Sequence, residues 1–280
     1  MPDFSDILLT VDYDRTLTAP DSTIPERNIE AIRYFMENGG TFTVNTGRSL
    51  PMTHAFRDKV PVNAPLLLYN GAAAFDKRDR RLRSCHEIQL PMEQTLRDVL
   101  QAFPDMTLEV QGVDFHYSFQ KNVLWEGFSE YSNCPWAYAE PGDDIGPFLK
   151  FTLYGPFRDT VLSSMFVSTP EEERRMAEVE DLLRQRYGEQ CEVFRAAKII
   201  DLQARGLSKN RAAKELQKQL GKKILVCVGD GNNDVLMLQG ADYAFCPSDS
   251  PLAGRFESVC PCSEGSIADV IYKKIPEILK

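Results

Sequence analysis

Long hydrophobic runs, basic excess and histidine are what this 280-residue chain has least of. Its opening, MPDFSDILLT, has no basic residue ahead of an apolar run confined to Ile7–Val11. A membrane span needs roughly 20 apolar residues and a secretory leader needs a basic start, so a cytoplasmic protein with no membrane partner is expected. Lys and Arg number 32 against 41 Asp and Glu, for a formal charge of -9. Binding a nucleic-acid backbone requires a basic face, and with no long Lys/Arg run present no nucleic-acid partner is expected. The three histidines all lie away from Cys260 and Cys262, the one close pair among seven scattered cysteines. An odd, scattered set fits free thiols in a reducing compartment better than a disulfide framework, and the close pair fits a strand end or loop better than zinc. There is also no internal repeat or low-complexity tract. What remains is an ordinary globular composition, 43% hydrophobic and 26% charged, long enough for two domains.

What is present is organised as apolar strands and amphipathic helices. Ile7–Val11 reads as a fully buried strand. Pro25–Asn38 reads as a helix with Ile29, Ile32, Phe35 and Met36 on one face, stopped by Gly39 and Gly40. The β-rich Thr41–Val44 completes a βαβ unit, which implies parallel strands and a right-handed crossover. PLLLYNGAAAFD is two short strands around Asn70-Gly71, the strongest hairpin dipeptide. Beyond Leu82 the texture changes: both tryptophans, a dense aromatic stretch, the turn-rich EPGDDIGP, a strand-like FLKFTLYG and a helix-like PEEERRMAEVEDLLRQRYG. This predicts an α+β module over 83–198, inserted into an α/β domain made of 1–82 and 199–280. Its aromatics are expected to be core rather than a ligand cage. The α/β pattern then resumes with GLSKNRAAKELQKQLG as a helix and with ILVCV and YAFC as strands.

Ligands of an open parallel sheet bind outside the carboxyl ends of its strands. Three buried-looking strands here end in polar clusters: Asp12-Tyr13-Asp14, Asn45-Thr46-Gly47-Arg48, and Gly229 through Asp234. All three are expected on one sheet edge, where Asp12, Asp14, Asp230 and Asp234 would repel by about 4 kcal/mol per pair at about 4 Å and an effective dielectric near 20. A divalent cation relieves that repulsion, and hard oxygen ligands without His or Cys point to Mg²⁺. Ser208 reads as a helix N-cap, which puts Lys209 and Arg211 in a first turn that disfavours cations. A bound anion explains that placement, a solvated Lys209 being the alternative. Metal, carboxylate nucleophile, hydroxyl and lysine are together the parts list of phosphoryl transfer.

The motifs DYDRTLT, TGRS, GLSK and GDGNND, in that order and spacing, resemble the four motifs of the haloacid dehalogenase (HAD) superfamily. The insertion resembles the C2-type cap of its Cof-like, sugar-phosphatase branch, subclass IIB. The resemblance implies a Rossmann-like parallel-sheet core with an inserted α+β cap, and a Mg²⁺-dependent phosphatase acting on a small phosphorylated metabolite, plausibly a sugar or polyol phosphate, as monomer or homodimer. It makes Asp12 the nucleophile that becomes an aspartyl-phosphate and Asp14 the general acid/base. Thr46, Gly47 and Lys209 would hold the phosphoryl oxygens. Asp12, the backbone carbonyl of Asp14, and Asp230 would bind Mg²⁺, with Asn233 and Asp234 supporting that site. Arg48 and Asn70 stand in family-like contexts, TGR and NGA, as phosphate or substrate contacts. A helix-start arginine and a hairpin asparagine are the alternatives for them.

The chain departs from the family pattern in two places. Arg15 stands where the family usually has glycine after the second aspartate. It is expected either to accept the turn with φ below zero and point away, or to reach toward the site as an added anion and substrate contact. ADYAFCPSDS is only loosely like the family's segment there, which leaves substrate identity open. Other functions remain in view. A phosphomutase of the same superfamily would isomerise rather than hydrolyse. A non-catalytic phosphate-binding or regulatory protein would not need Asp14 as acid/base. A dinucleotide-binding enzyme is disfavoured because GDGNND lacks the third glycine.

Overall fold

The computed structural model describes residues 2–156 and 167–280. In chain order its elements are β1 (Ile7–Val11), α1 (Glu26–Glu37), β2 (Thr41–Val44), β3 (Leu66–Leu68), β4 (Ala73–Asp76), β5 (Arg81–Cys85), α2 (Met92–Ala102), β6 (Thr107–Gly112), β7 (His116–Ser118), α3 (Val123–Tyr131), β8 (Trp136–Tyr138), β9 (Phe148–Tyr154), α4 (Pro170–Tyr187), β10 (Cys191–Ala196), β11 (Ile199–Ala204), α5 (Lys209–Gln219), β12 (Ile224–Val228), α6 (Val235–Gly240), β13 (Tyr243–Pro247) and β14 (Glu257–Val259), with short helical turns over 262–278. They group into two units. The first holds Met1–Gly47, Phe56–Ser84 and Ser208–Lys280, and the second holds Arg48–Ala55 and Cys85–Leu207. No helix among the described residues is long and apolar enough to cross a membrane.

The first unit is built on a parallel sheet in the order β14-β13-β12-β1-β2. β1 lies between β12 and β2 and is buried along its whole length, as a strand covered on both faces must be, and this is why it reads as an unbroken apolar run. On α1, Ile29, Ala31, Ile32 and Phe35 are buried and Met36 is only partly so. β3 and β4 form the expected antiparallel hairpin, Leu68 pairing with Ala73 across Asn70-Gly71. Gly71 is required twice over. Its φ is +100°, and a Cβ there would fall 2.5 Å from the Ser208 carbonyl oxygen, so only glycine lets the hairpin tip meet the start of α5. β14 was not anticipated, because three residues with two exposed carry no strand pattern.

The second unit carries a six-stranded sheet ordered β10-β11-β9-β6-β7-β8, antiparallel except for the β7–β8 pair. Leu96 and Val99 of α2 and Met176, Val179 and Leu183 of α4 share one core with Leu108, Phe151 and Val193 of the sheet. α4 starts in a capping box: Thr169 accepts from the Glu172 N–H, and the Glu172 carboxylate accepts from the Thr169 N–H. The boundary read at 198/199 is corrected here. Ala197, at φ +49°, turns β10 into β11, and β11 pairs with both β10 and β9, so the unit runs to Leu207. The segment Arg48–Ala55, read as part of the α/β domain, also belongs to this unit.

Several aromatics of this unit are packing, while Tyr131 is exposed. Trp125 is fully buried with Met52, Phe128, Cys134 and Tyr154, and meets Trp136 edge to face at 5.2 Å. Beneath them lies a buried polar hub. The Glu109 carboxylate accepts from Trp125 Nε1 at 2.6 Å, from the Tyr154 hydroxyl at 3.2 Å and from Gln111 Nε2, and it stands 3.1 Å from His116 Nδ1. His116 Nε2 in turn meets Ser49 Oγ at 2.8 Å. Burial alone would push the Glu109 carboxyl up, but the His116 ring and the Gln111 and Trp125 donors outweigh it and hold it below the usual range. Its contribution to stability is therefore present above the unfolded carboxyl value of about 4.3 and is lost as pH falls through the lower folded value. Replacing Glu109 with Leu strands these donors and should cost on the order of 3–5 kcal/mol by urea unfolding at neutral pH. The variant should also lose less stability than the wild type as the pH is taken below about 4.

Candidate active site

Parallel pairing places the candidate residues on one edge of the first unit's sheet. The ladder continues one residue past each strand: the Asp12 N–H donates to the Val228 carbonyl at 2.9 Å, and the Asn45 N–H donates to the Val11 carbonyl at 2.8 Å. Asp12, Asn45-Thr46 and the Gly229–Asp234 loop thus emerge side by side, as the strand ends predict. Lys209 begins α5 behind the N-cap Ser208, whose Oγ accepts from the Arg211 N–H. Its ammonium is fully buried and donates at 2.6 Å both to Asp12 Oδ1 and to Asp234 Oδ1. The anions that hold Lys209 in that first turn are therefore carboxylates. Arg211 instead pairs with Glu215 at the surface.

Asp234 is fully committed. Its Oδ1 takes Lys209, and its Oδ2 accepts from the Asp230 N–H at 3.1 Å and the Gly231 N–H at 2.9 Å. A Cβ on Gly229 would lie 2.6 Å from the Asp234 side chain, so glycine is what lets Asp234 fold back under the loop. Among the described residues, Asp12 Oδ2 and Asp230 Oδ2 accept no hydrogen bond. The carboxylates of Asp12, Asp230 and Asp234 each offer an oxygen within 4.8 Å of the others. Hard oxygens at this density fit a divalent cation, with Asp12 and Asp230 as the carboxylates free to hold it and Asp234 as their buttress. The electrostatics agree. Burial, opposed by Lys209 and reinforced by Asp234, Asp230 and Asp14, pushes the Asp12 carboxyl well up. Burial and Asp234 raise Asp230 to about 7. Burial would lower Lys209, but Asp12 and Asp234 outweigh it and hold it above the usual lysine value. Asp12, Asp230 and Lys209 thus all shift upward, the two carboxyls through burial reinforced by neighbouring carboxylates and the lysine through those carboxylates against burial.

Thr46 is almost fully buried and fixed through its backbone. Its N–H donates to the Leu67 carbonyl and its carbonyl accepts from the Asn70 N–H. Asn70 sits in the left-handed region at φ +52°, as a hairpin asparagine does, and its Oδ1 also accepts from Asn233 Nδ2 at 3.4 Å. A Cβ on Gly47 would come 2.9 Å from that same Oδ1. Thr46, Gly47, Asn70 and Asn233 are thus gathered around the hairpin turn. Asp14 lies half-buried, with extended backbone, in the turn Tyr13–Leu17. Arg15 corrects the expectation of a negative φ: it stands in the left-handed region at +57°. Arg48 falls outside the first unit. It belongs to the second unit, where its charge opposes the burial and the Glu109 charge that push the Cys134 thiol up to about 12.

Two residues within the motifs were given no role of their own. Thr16 donates from Oγ1 to Asp230 Oδ1 at 3.1 Å, and its carbonyl accepts from Ser266 Oγ. Asn45 donates from Nδ2 to the Lys209 carbonyl at 2.9 Å and so ties β2 to the start of α5. Each is adjacent to or two residues from a motif residue, and that proximity was the signal available. Cys260 and Cys262 are free thiols, the latter bonded to Asp249, as a loop pair should be.

The sequence model of the haloacid dehalogenase-like hydrolase family matches residues 9–250. The chain belongs to the haloacid dehalogenase-like hydrolases. Solved members share its fold across nearly the whole chain. A haloacid dehalogenase-like hydrolase from Bacillus subtilis is 19% identical, with 95% of this chain and 99% of that one covered and a TM-score of 0.73. The subclass IIB sugar phosphatase BT4131 is 17% identical, with 97% and 98% covered and a TM-score of 0.74. A Haemophilus influenzae protein named as a candidate phosphatase is 26% identical over 259 residues, which is 89% of this chain and 87% of that protein. The Cof-like branch read from the motifs agrees with these relatives, as does the parallel-sheet hydrolase core.

Proposed function

We propose that this hydrolase is a Mg²⁺-dependent phosphatase that cleaves a small phosphorylated metabolite, a sugar or polyol phosphate, through an aspartyl-phosphate on Asp12. The observation that carries the reading is the buried Lys209 ammonium bridging Asp12 and Asp234 beside Asp230 at the mouth of β1. The sugar class is supported by the likeness to the subclass IIB sugar phosphatase BT4131. Asp12, Asp230 and the Asp14 carbonyl would hold Mg²⁺, which when bound supplies the positive charge that keeps Asp12 ionised next to a phosphate dianion.

The chain's own groups divide the remaining work. Lys209 and the Thr46 hydroxyl and Gly47 N–H bind the phosphoryl oxygens, so that Lys209 exchanges part of its carboxylate contact for substrate. An Asp12 oxygen attacks phosphorus while the ester P–O bond breaks, and Asp14 gives its proton to the departing oxygen. Asp14, now ionised, takes a proton from the water that attacks the phosphoryl-aspartate. Inorganic phosphate leaves and Asp12 is restored. Asp14 can serve in both steps because only Asp12 of the pair is gripped by Lys209. The test is release of phosphate from p-nitrophenyl phosphate and a panel of sugar and polyol phosphates. Activity should fall to background in EDTA and return with Mg²⁺. Isomerised hexose phosphate in place of free phosphate would replace this reading with a phosphomutase, and no metal-dependent turnover of any ester would overturn it.

A further inference from the structure

Asn45 directly follows β2, a strand buried along its whole length, and is fully buried itself. An amide in such a place is costly unless both of its ends are bonded. Asn28, equally buried, shows the usual solution: it donates to the Leu17 carbonyl and accepts from the Ala268 N–H. Asn45 uses its donor end alone. Nδ2 donates to the Lys209 carbonyl at 2.9 Å and, more weakly, to Met237 Sδ at 3.4 Å, while Oδ1 accepts no hydrogen bond among the described residues. The orientation is forced, because a carbonyl only accepts and the amide must turn its nitrogen toward it. The unpaired oxygen by itself marks nothing, since Asn210 Oδ1 is also without a partner. What sets Asn45 apart is the atom that its nitrogen holds.

The helix does not need that bond. α5 starts at Lys209 behind the Ser208 cap, and a helix supplies each early carbonyl with the N–H four residues on. The Asn45 amide therefore fixes where residue 209 sits rather than satisfying an orphaned group. The other end of Lys209 is held by Asp12 and Asp234, each at 2.6 Å from the ammonium. In the proposed reaction the ammonium gives up part of that grip to bind the phosphoryl group, so the anchor at the Lys209 carbonyl is the one that persists. The same residue reaches the nucleophile's strand: the Asn45 N–H donates at 2.8 Å to the carbonyl of Val11, which precedes Asp12. Asn45 thus ties the end of β1 to the start of α5 within the first unit, with Asp12 on one side of the tie and Lys209 on the other.

We propose that Asn45 is a positioning residue for phosphoryl transfer, acting through Lys209 by holding the backbone of that residue in place against Asp12. The proposal rests on the phosphatase reading. Asn45→Ala and Asn45→Leu both remove the donor, one leaving space and the other filling it, so a loss common to both reads the hydrogen bond and not the volume. Each is assayed on p-nitrophenyl phosphate at saturating Mg²⁺, alone and combined with Lys209→Met, with the folded fraction read from thermal unfolding in the same buffer. Both single variants should lose about tenfold or more in kcat with KM within about twofold of wild type, because a displaced charge is felt most where charge develops in the transition state. In the Lys209→Met background either substitution should change kcat by less than about twofold, since no ammonium is left to place. Unchanged kcat in both single variants, or an equal loss with and without Lys209, overturns the role of Asn45 while the phosphatase reading stands. Failure of both single variants to fold overturns it as well, by making Asn45 a folding residue. A wild type that turns over no ester overturns the phosphatase reading and this proposal with it.

Discussion

Asp12→Asn is expected to lower phosphatase kcat by a factor on the order of 10⁴ or more while leaving the fold intact. An amide of the same shape keeps the volume at the end of β1 and the backbone ladder to Val228, but it has no anionic oxygen to attack phosphorus. The stability side has the opposite sign to most site substitutions. Asp12, Asp230 and Asp234 crowd oxygens within 4.8 Å, so removing one charge relieves repulsion, and Lys209 keeps its bond to Asp234. Without added metal the unfolding midpoint of Asp12→Asn should be no lower than that of wild type. Steady-state assay together with thermal unfolding in EDTA checks both halves. Retained turnover would remove Asp12 from the nucleophile role.

Lys209→Met is expected to lower activity by about 10²–10³-fold, the size of effect that follows loss of one preorganised contact to a transferring group. Unlike Asp12→Asn, it should also destabilise the protein. Among the described residues Lys209 is the one cation in hydrogen-bond contact with the buried Asp12 and Asp234 carboxylates, and a thioether in its place removes that compensation. Breaking a buried ionic contact in this way costs on the order of 3–5 kcal/mol, read by urea unfolding in EDTA. Added Mg²⁺ should recover part of that loss through binding to the native state alone, and should recover more of it in the variant than in wild type. A variant as stable as wild type in EDTA would mean that Lys209 does not neutralise the cluster.

The legible part of this molecule was the part in which sequence and burial share one periodicity. β1, β2 and β12 are buried on both faces, so they appear as unbroken apolar runs, and each stops abruptly at a polar cluster. Parallel pairing then required Asp12, Thr46 and Asp230 to share an edge, and Ser208 as N-cap fixed where Lys209 enters. The illegible part depended on long-range pairing. β11 looks the same in sequence whether it closes the second sheet or starts the first, and only its ladders to β10 and β9 decide. Arg48–Ala55 follows a motif of one unit yet packs with Trp125 of the other through Met52, a contact 73 residues ahead in the chain. The partners of Thr16 and Asn45 were not legible because hydroxyl and amide residues are common beside turns, and only the fold shows which polar atoms they meet. The sign of φ at Arg15 is set by a turn that tolerates the strain, which residue preference alone argues against.

The central claim is that Asp12 carries the phosphoryl group, and it is tested most directly in the Asp14→Asn variant. Nitrophenolate departs without acid assistance, whereas hydrolysis of the phosphoryl-aspartate needs a base to take the proton of water, so the intermediate should accumulate. Rapid mixing with p-nitrophenyl phosphate and Mg²⁺, acid quench and peptide mass mapping should give a nitrophenolate burst of about one equivalent per enzyme and one phosphoryl group on the peptide at Asp12. A phosphoryl group on any other residue, or slow turnover with no phosphorylated peptide, would contradict it.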